Sequence, residues 1–264
     1  MKEMMVVCGD SYNAGIGCVN MHTQAYGVVT AQHFDWDLIT LARGSASNYA
    51  VHLQAMYAAE LLPHLVIIGQ TSYDRLEWVM DTHSKPAHEQ PTLHNLNYHL
   101  YPPHHFPQPH HDKPMPFHLQ DSADYKPYLL TEQVGGIDDY LTRFKKNPGF
   151  PYYERLHTEP REKLELIRDY YVNCVDYAIK RDYDIGLLLQ AYTFLKRKGI
   201  NCLILTRDIG LFGKFIDQAD LMHQDWWYLS NIYPDTIGSM HTSEIGHQDT
   251  ADRLIAKIKE NNLA

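Results

Sequence analysis

Ser11 stands in Gly9-Asp10-Ser11, directly after the apolar run Met4-Met5-Val6-Val7-Cys8. A Val-rich run closed by glycine reads as the first strand of an α/β domain, and ligands of open parallel sheets bind beyond the carboxyl ends of the strands. The hydroxyl is thereby placed where a nucleophile would stand. A serine attacks only when a base takes its proton and hydrogen-bond donors hold the oxyanion that forms. Candidate bases lie near the other end of the chain, in Gly238-Ser239-Met240-His241-Thr242-Ser243-Glu244-Ile245-Gly246-His247, ahead of a helical pattern. Candidate oxyanion donors close two further apolar runs, at Gly44-Ser45-Ala46-Ser47-Asn48 and at Gly69-Gln70-Thr71-Ser72.

This ordered set resembles the SGNH (GDSL-type) hydrolase superfamily, whose members carry a Gly-Asp-Ser block, a Gly block, a Gly-x-Asn block and an Asp-x-x-His block. The resemblance implies Ser11 as nucleophile, His241 as base, and the N–H groups of Ser11 and Gly44 as oxyanion donors. Thr71 stands where the family's oxyanion asparagine is expected, so its hydroxyl is the substitute the resemblance suggests. Gly238 occupies the acid position three residues before His241 and has no carboxylate. Asp235 can replace it if Ile237-Gly238-Ser239 folds back; otherwise a backbone carbonyl orients the ring and the pair is a Ser-His dyad. The acid partner matters because it fixes the histidine tautomer and stabilises the imidazolium. A second register makes His247 the base with Glu244 behind it, at the opening of the last helix and behind the loop that should reach the site.

The activity so implied is serine-dependent hydrolysis of short acyl esters, including O-acetyl groups on carbohydrate, with no metal or other cofactor. Phage-encoded relatives look similar, with a Gly-x-x-Ser-Asn block like Gly44 to Asn48 and a Thr-Ser-x-Asp-Arg-x-Glu block like Thr71 to Glu77. That likeness suggests a viral origin, and with the altered third and fourth blocks it keeps open a catalytically weak binding or structural protein, such as a component of a virion. Three further residues are candidates for substrate contact. Asn48 is a polar group near Gly44 or else a helix cap. Arg75 could grip a carboxylate or phosphate through its planar fork, or brace its loop in a salt bridge. Trp226, ahead of Trp227 and Tyr228, is either a stacking wall or a core contact.

The elements that must position these residues read as a doubly covered parallel sheet, the three-layer flavodoxin-like form. Helices are expected over Gln24 to His33, Tyr49 to Leu62 and Thr250 to Ile258, and strands at Leu65 to Ile68 and Cys202 to Leu205. A long helical stretch opened by Pro160 and Arg161 precedes the last strand, with Gly186 as a point of division. Residues 1–80 and 160–264 form the α/β domain on this reading, and 81–159 are an inserted irregular lobe or lid. Between His83 and His118 the insertion holds nine of the chain's 17 histidines together with eight prolines. Such proline density excludes regular helix and central strand. His104, His105, His110, His111 and Asp112 are candidate metal ligands, which keeps a metal-dependent hydrolase as a further alternative. No recognised ligand spacing is present, so surface packing and neutral hydrogen bonding is the preferred reading.

Composition narrows the partners. A chain of 264 residues can bury a substantial core. Its formal charge of −9 gives no general electrostatic reason to bind nucleic acid or an anionic membrane. No apolar run approaches the ~20 residues of a spanning helix, and Met1-Lys2-Glu3 leads straight into the first strand without a signal-peptide pattern. The expected compartment is cytoplasmic, the host cytoplasm or a virion for a phage protein. The four cysteines, Cys8, Cys18, Cys174 and Cys202, show neither metal spacing nor a disulfide framework. A small-molecule or carbohydrate ester is the expected partner, and oligomeric state is not legible.

Overall fold

The computed structural model describes residues 2–42, 46–73, 75–80, 128–133, 176–236 and 241–263, with 75–80 and 128–133 as backbone. Five parallel strands form the main sheet: β1 (Met4–Cys8), β2 (Asp37–Thr40), β3 (Leu65–Gly69), β6 (Asn201–Thr206) and β7 (Leu221–His223). Their order is β2-β1-β3-β6-β7. Counted within this sheet, that is the 2-1-3-4-5 order of flavodoxin-like doubly wound folds. The register sets Val7 beside Thr40 and Ile67, and Gly69 beside Leu205, so β1 and β3 end side by side.

Both faces of the sheet are apolar, and alternate residues feed two separate cores. Val6, Cys8, Val66, Ile68, Cys202 and Ile204 point to one side, where α3 (Asn48–Ala58) and α4 (Tyr177–Arg197) cover them with Val51, Ala55, Leu188 and Leu195. Met5, Val7, Leu65, Ile67, Leu203 and Leu205 point to the other, against α2 (Tyr26–Phe34) and α7 (Glu244–Glu260) through Tyr26, Ala251, Leu254 and Ile258. Nearly all of these side chains are fully buried, and each Val, Leu, Ile or Met among them contributes about 1.5–3 kcal/mol relative to exposure. The α/β three-layer class expected from the sequence is the one observed. Strands flanked by helices on both faces need apolar residues at every position, which is why they appear as unbroken apolar runs.

Several elements differ from expectation. Helix α4 runs through Gly186 without a break, and Asp176 caps its start by accepting from Ala178 and Ile179 N–H. The first expected helix is two, α1 (Met21–Gln24) and α2, joined at Ala25. A two-stranded antiparallel ribbon pairs β4 (Arg75–Met80) with β5 (Tyr128–Gln133), so residues 81–159 are not wholly irregular. Two short α-helices, α5 (Ile209–Phe212) and α6 (Trp226–Ile232), and a 3-10 turn at Gln218–Asp220 complete the described elements. Among the described residues no helix is long and apolar enough to cross a membrane. Cys8, Cys18 and Cys202 are buried free thiols, pushed upward in pKa chiefly by burial, Cys18 to about 12. Cys174 lies outside the described residues.

Candidate active site

The chain leaves β1 at Cys8 and turns sharply through Gly9-Asp10-Ser11. Asp10, 3% exposed, organises this turn: its carboxylate accepts the Tyr12 N–H at 3.1 Å, Asn13 Nδ2 at 3.0 Å and the Thr71 hydroxyl at 2.9 Å. Gln54 of α3 clamps the same turn from behind, accepting from Gly9 N–H at 2.6 Å and donating to the Gly9 carbonyl at 3.2 Å. The carbonyls of Asp10 and Ser11 accept from Ala14 and Ile16 N–H, closing the loop after the serine. Among the described residues no acceptor bonds the Ser11 N–H.

Asn13 is a residue that sequence reasoning passed over. It is 2% exposed, donates to Asp10, accepts the Tyr26 hydroxyl at 2.9 Å, and fills the space above Gly69. A Cβ on Gly69 would stand 2.1 Å from Asn13 Oδ1, so the glycine that ends β3 is required by close approach. The signal was the polar residue four positions after Gly9, whose role depends on a strand 56 positions further on.

The histidine arrives on a loop pinned at its base. Pro234 and Thr242 form an antiparallel bridge, Ser243 N–H donates to the Tyr233 carbonyl at 2.7 Å, and Asp235 N–H donates to the His241 carbonyl at 3.1 Å. Asp235 Oδ2 in turn accepts the His241 N–H at 2.7 Å. The described contact between Asp235 and His241 is therefore through the main chain, holding the residue that carries the ring. His241 Nε2 lies 2.8 Å from Ser11 Oγ, joining residues 230 positions apart. In the tautomer with hydrogen on Nδ1, Nε2 accepts the serine proton, the geometry a general base needs. Gly17 makes the approach possible. Its φ is +108°, and a Cβ there would stand 2.1 Å from the Thr242 carbonyl oxygen and 2.9 Å from His241 Cβ.

His247, the base of the second register, sits in the first turns of α7 and is fully buried. Burial lowers its pKa from 6.5 to about 4, with the Ile16 carbonyl opposing and His241 adding to the shift, so it is neutral near pH 7. Its Nδ1 accepts from the Tyr26 N–H at 3.5 Å. Its described contacts are with Tyr26 and Trp226, those of a packing histidine.

The remaining candidates divide. Thr71 reaches the site, but its hydroxyl donates to Asp10 and its main chain pairs with Asn48, so its one proton is not available to an oxyanion in this arrangement. Asn48 likewise has both amide hydrogens engaged, by the Thr71 carbonyl and by buried Asp184 at 3.1 Å each. It braces α3 against the end of β3 instead of facing a substrate, and the cap of α3 is Ser47. Trp226 is 7% exposed and packs on Tyr12, Tyr26 and His247, a core contact and not an open wall. Arg75 falls in β4, described as backbone. Gly44, His104, His105, His110, His111 and Asp112 lie outside the described residues. Among the described residues no three His, Cys, Asp or Glu side chains converge as a metal site.

No protein-family model matches the chain, and no curated protein matches it in sequence. Solved structures do. An acetyl xylan esterase from the rumen bacterium Butyrivibrio proteoclasticus matches at 12% identity and a TM-score of 0.43, over 98% of this chain and 64% of that one. A salicylyl-acyltransferase from a tetracycline biosynthetic pathway matches at 12% identity and 0.37, over 100% of this chain and 56% of that one. A lipolytic protein of the G-D-S-L family from Desulfitobacterium hafniense matches at 12% identity and 0.31, over 96% and 98%. The chain thus spans under two thirds of the length of the first two. Each is a similarity at low identity, and the chemistry below rests on this chain's own side chains.

Proposed function

We propose that the protein is a serine-dependent ester hydrolase of the acyl or O-acetyl esterase type. The observation that carries this reading is the 2.8 Å contact between His241 Nε2 and Ser11 Oγ, at the carboxyl end of β1 in a parallel sheet. Ser11 Oγ attacks the acyl carbon while His241 takes its proton. The carbonyl oxygen becomes an oxyanion held by the N–H groups of Ser11 and Gly44. Collapse breaks the ester bond, and the imidazolium protonates the departing alkoxide. Water then attacks the acyl-serine, His241 takes its proton, and the serine is regenerated with release of the acid. Asp235 serves as the residue that positions His241 within this cycle.

One observation favours a weaker catalyst, the binding or structural reading. Thr71 engages Asp10, so among the described residues its hydroxyl does not serve as a side-chain oxyanion donor. Loss of one such donor lowers turnover by about 10²–10³-fold. The test is hydrolysis of p-nitrophenyl acetate and butyrate by purified protein, beside Ser11→Ala and with EDTA. Activity that vanishes with Ser11 and is indifferent to EDTA supports the esterase. Activity independent of Ser11, or abolished by chelator, overturns it, the latter in favour of a metal-dependent hydrolase.

A further inference from the structure

Tyr12 follows the nucleophile and lies against the base. Its ring centroid is 4.5 Å from that of His241, with the planes at 48°. On its other side Tyr12 stacks on Trp226, 5.5 Å away and 12° from parallel. Trp226 is itself wedged into the core against Tyr26 and His247. The result is a column running from the core through Trp226 and Tyr12 to the imidazole. The Tyr12 hydroxyl lies 3.4 Å from Ser230 of α6, a weak tether at the far end of the ring. Aromatic rings attract a cation within about 6 Å of their centroid, and the attraction grows when water is excluded. The imidazolium formed when His241 takes the serine proton is such a cation.

We propose that Tyr12 is a positioning residue for His241: its ring, backed by Trp226, holds the imidazole on Ser11 and stabilises the imidazolium during proton transfer. This rests on the esterase reading for its catalytic meaning. Four described groups act on His241. Ser11 Oγ accepts or donates at Nε2, Tyr12 lies against the ring, and Asp235 holds the backbone. His247, on α7, interacts with it electrostatically and is neutral at working pH. Of these, Tyr12 is the one whose described contact with the imidazole is ring against ring.

The experiment is an NMR titration of the His241 ring in the wild type, Tyr12→Leu and Tyr12→Phe, with the resonance assigned from His241→Gln. Tyr12→Leu removes the π-system and is expected to lower the titration midpoint by about half a pH unit. Tyr12→Phe keeps the ring and should titrate as the wild type. In turnover, Tyr12→Leu should lower kcat with KM little changed, and Tyr12→Phe should restore it. A Tyr12→Leu midpoint equal to the wild type overturns the proposal, as does a Tyr12→Phe shift as large as that of Leu. If Tyr12→Leu does not fold, nuclear Overhauser contacts between the Tyr12 and His241 ring protons in the wild type decide the matter: their presence supports the column and their absence refutes it. Titration and Overhauser contacts need no turnover. A protein inert toward esters with a Tyr12-dependent titration loses only the esterase reading, and an active one with an unshifted titration loses only this proposal.

Discussion

Replacing Gly17 by alanine should disconnect the base from the nucleophile. The added Cβ would lie 2.1 Å from the Thr242 carbonyl oxygen and 2.9 Å from His241 Cβ, and the first of these is backbone, which cannot rotate away. Restoring ordinary contact requires the 241–242 segment to withdraw by about 1 Å, and misplacement on that scale costs around 10²-fold in rate. Added to the present 2.8 Å, the withdrawal takes Nε2 beyond hydrogen-bond reach of Ser11 Oγ. The contribution of a positioned general base, about 10²–10⁴-fold, is then largely lost. A φ of +108° is also unfavourable for any residue with a Cβ, adding about 1–2 kcal/mol of destabilisation. The assay is steady-state hydrolysis of a p-nitrophenyl ester beside thermal unfolding, with Gly186→Ala as control. That Cβ meets nothing within 4 Å and sits mid-helix, so it should leave turnover alone and stabilise by about 0.5–1 kcal/mol. Folded Gly17→Ala is expected to keep KM and lose about two orders of magnitude in kcat. A folded variant with kcat within about twofold of the wild type would refute the packing argument.

Thr71→Val removes the hydroxyl that donates to buried Asp10 and should cost about 1–3 kcal/mol, a fall of several degrees in Tm, with kcat reduced less than about tenfold. A loss above 10²-fold at unchanged Tm would instead make Thr71 an oxyanion donor. Asp235→Ala leaves the His241 N–H without its 2.7 Å acceptor and should lower both stability and turnover, whereas Asp235→Asn retains a carbonyl acceptor and should recover most of both. Kinetics in which Asn is as impaired as Ala would assign the role to the charge. His247 binds a proton less readily when folded, with a pKa of about 4 against 6.5. The unfolded chain therefore holds more protons between those values, and stability is full above about pH 6.5 and falls as pH drops toward 4. The loss is about 3 kcal/mol across the window, measurable as a denaturant midpoint that declines from pH 7 to pH 4.5. His247→Leu should flatten that slope, and a wild type with no slope would contradict the buried neutral ring.

The parts of the fold legible in the sequence are those whose signal is local. β1, β3 and β6 are apolar runs ended by Gly9, Gly69 and Thr206-Arg207-Asp208, and a strand buried on both faces has no other way to appear. β7, the three-residue run Leu221–His223, is too short for periodicity and exists because β6 offers it a register. Gly186 reads as a breaker in isolation, yet inside a 21-residue helix its cost is absorbed by packing on α3 and β6. The residues brought together at 2.8 Å, Ser11 and His241, each stand in a local block, one directly after β1 and the other directly before α7. The behaviour of Thr71 could not be read locally, because its hydroxyl direction depends on Asp10, a carboxylate 61 positions away. Nor could the Tyr12–Trp226 column, whose members are separated by most of the chain and meet only once α6 is docked.

The central claim is that Ser11 is a nucleophile activated by His241. It is tested most directly by treating the purified protein with a fluorophosphonate and locating the adduct by intact mass and peptide mapping. The account predicts one covalent adduct on the peptide containing Ser11, absent in Ser11→Ala and strongly slowed in His241→Ala while both variants remain folded. A wild-type protein that forms no adduct, or one labelled equally well in His241→Ala, would contradict it.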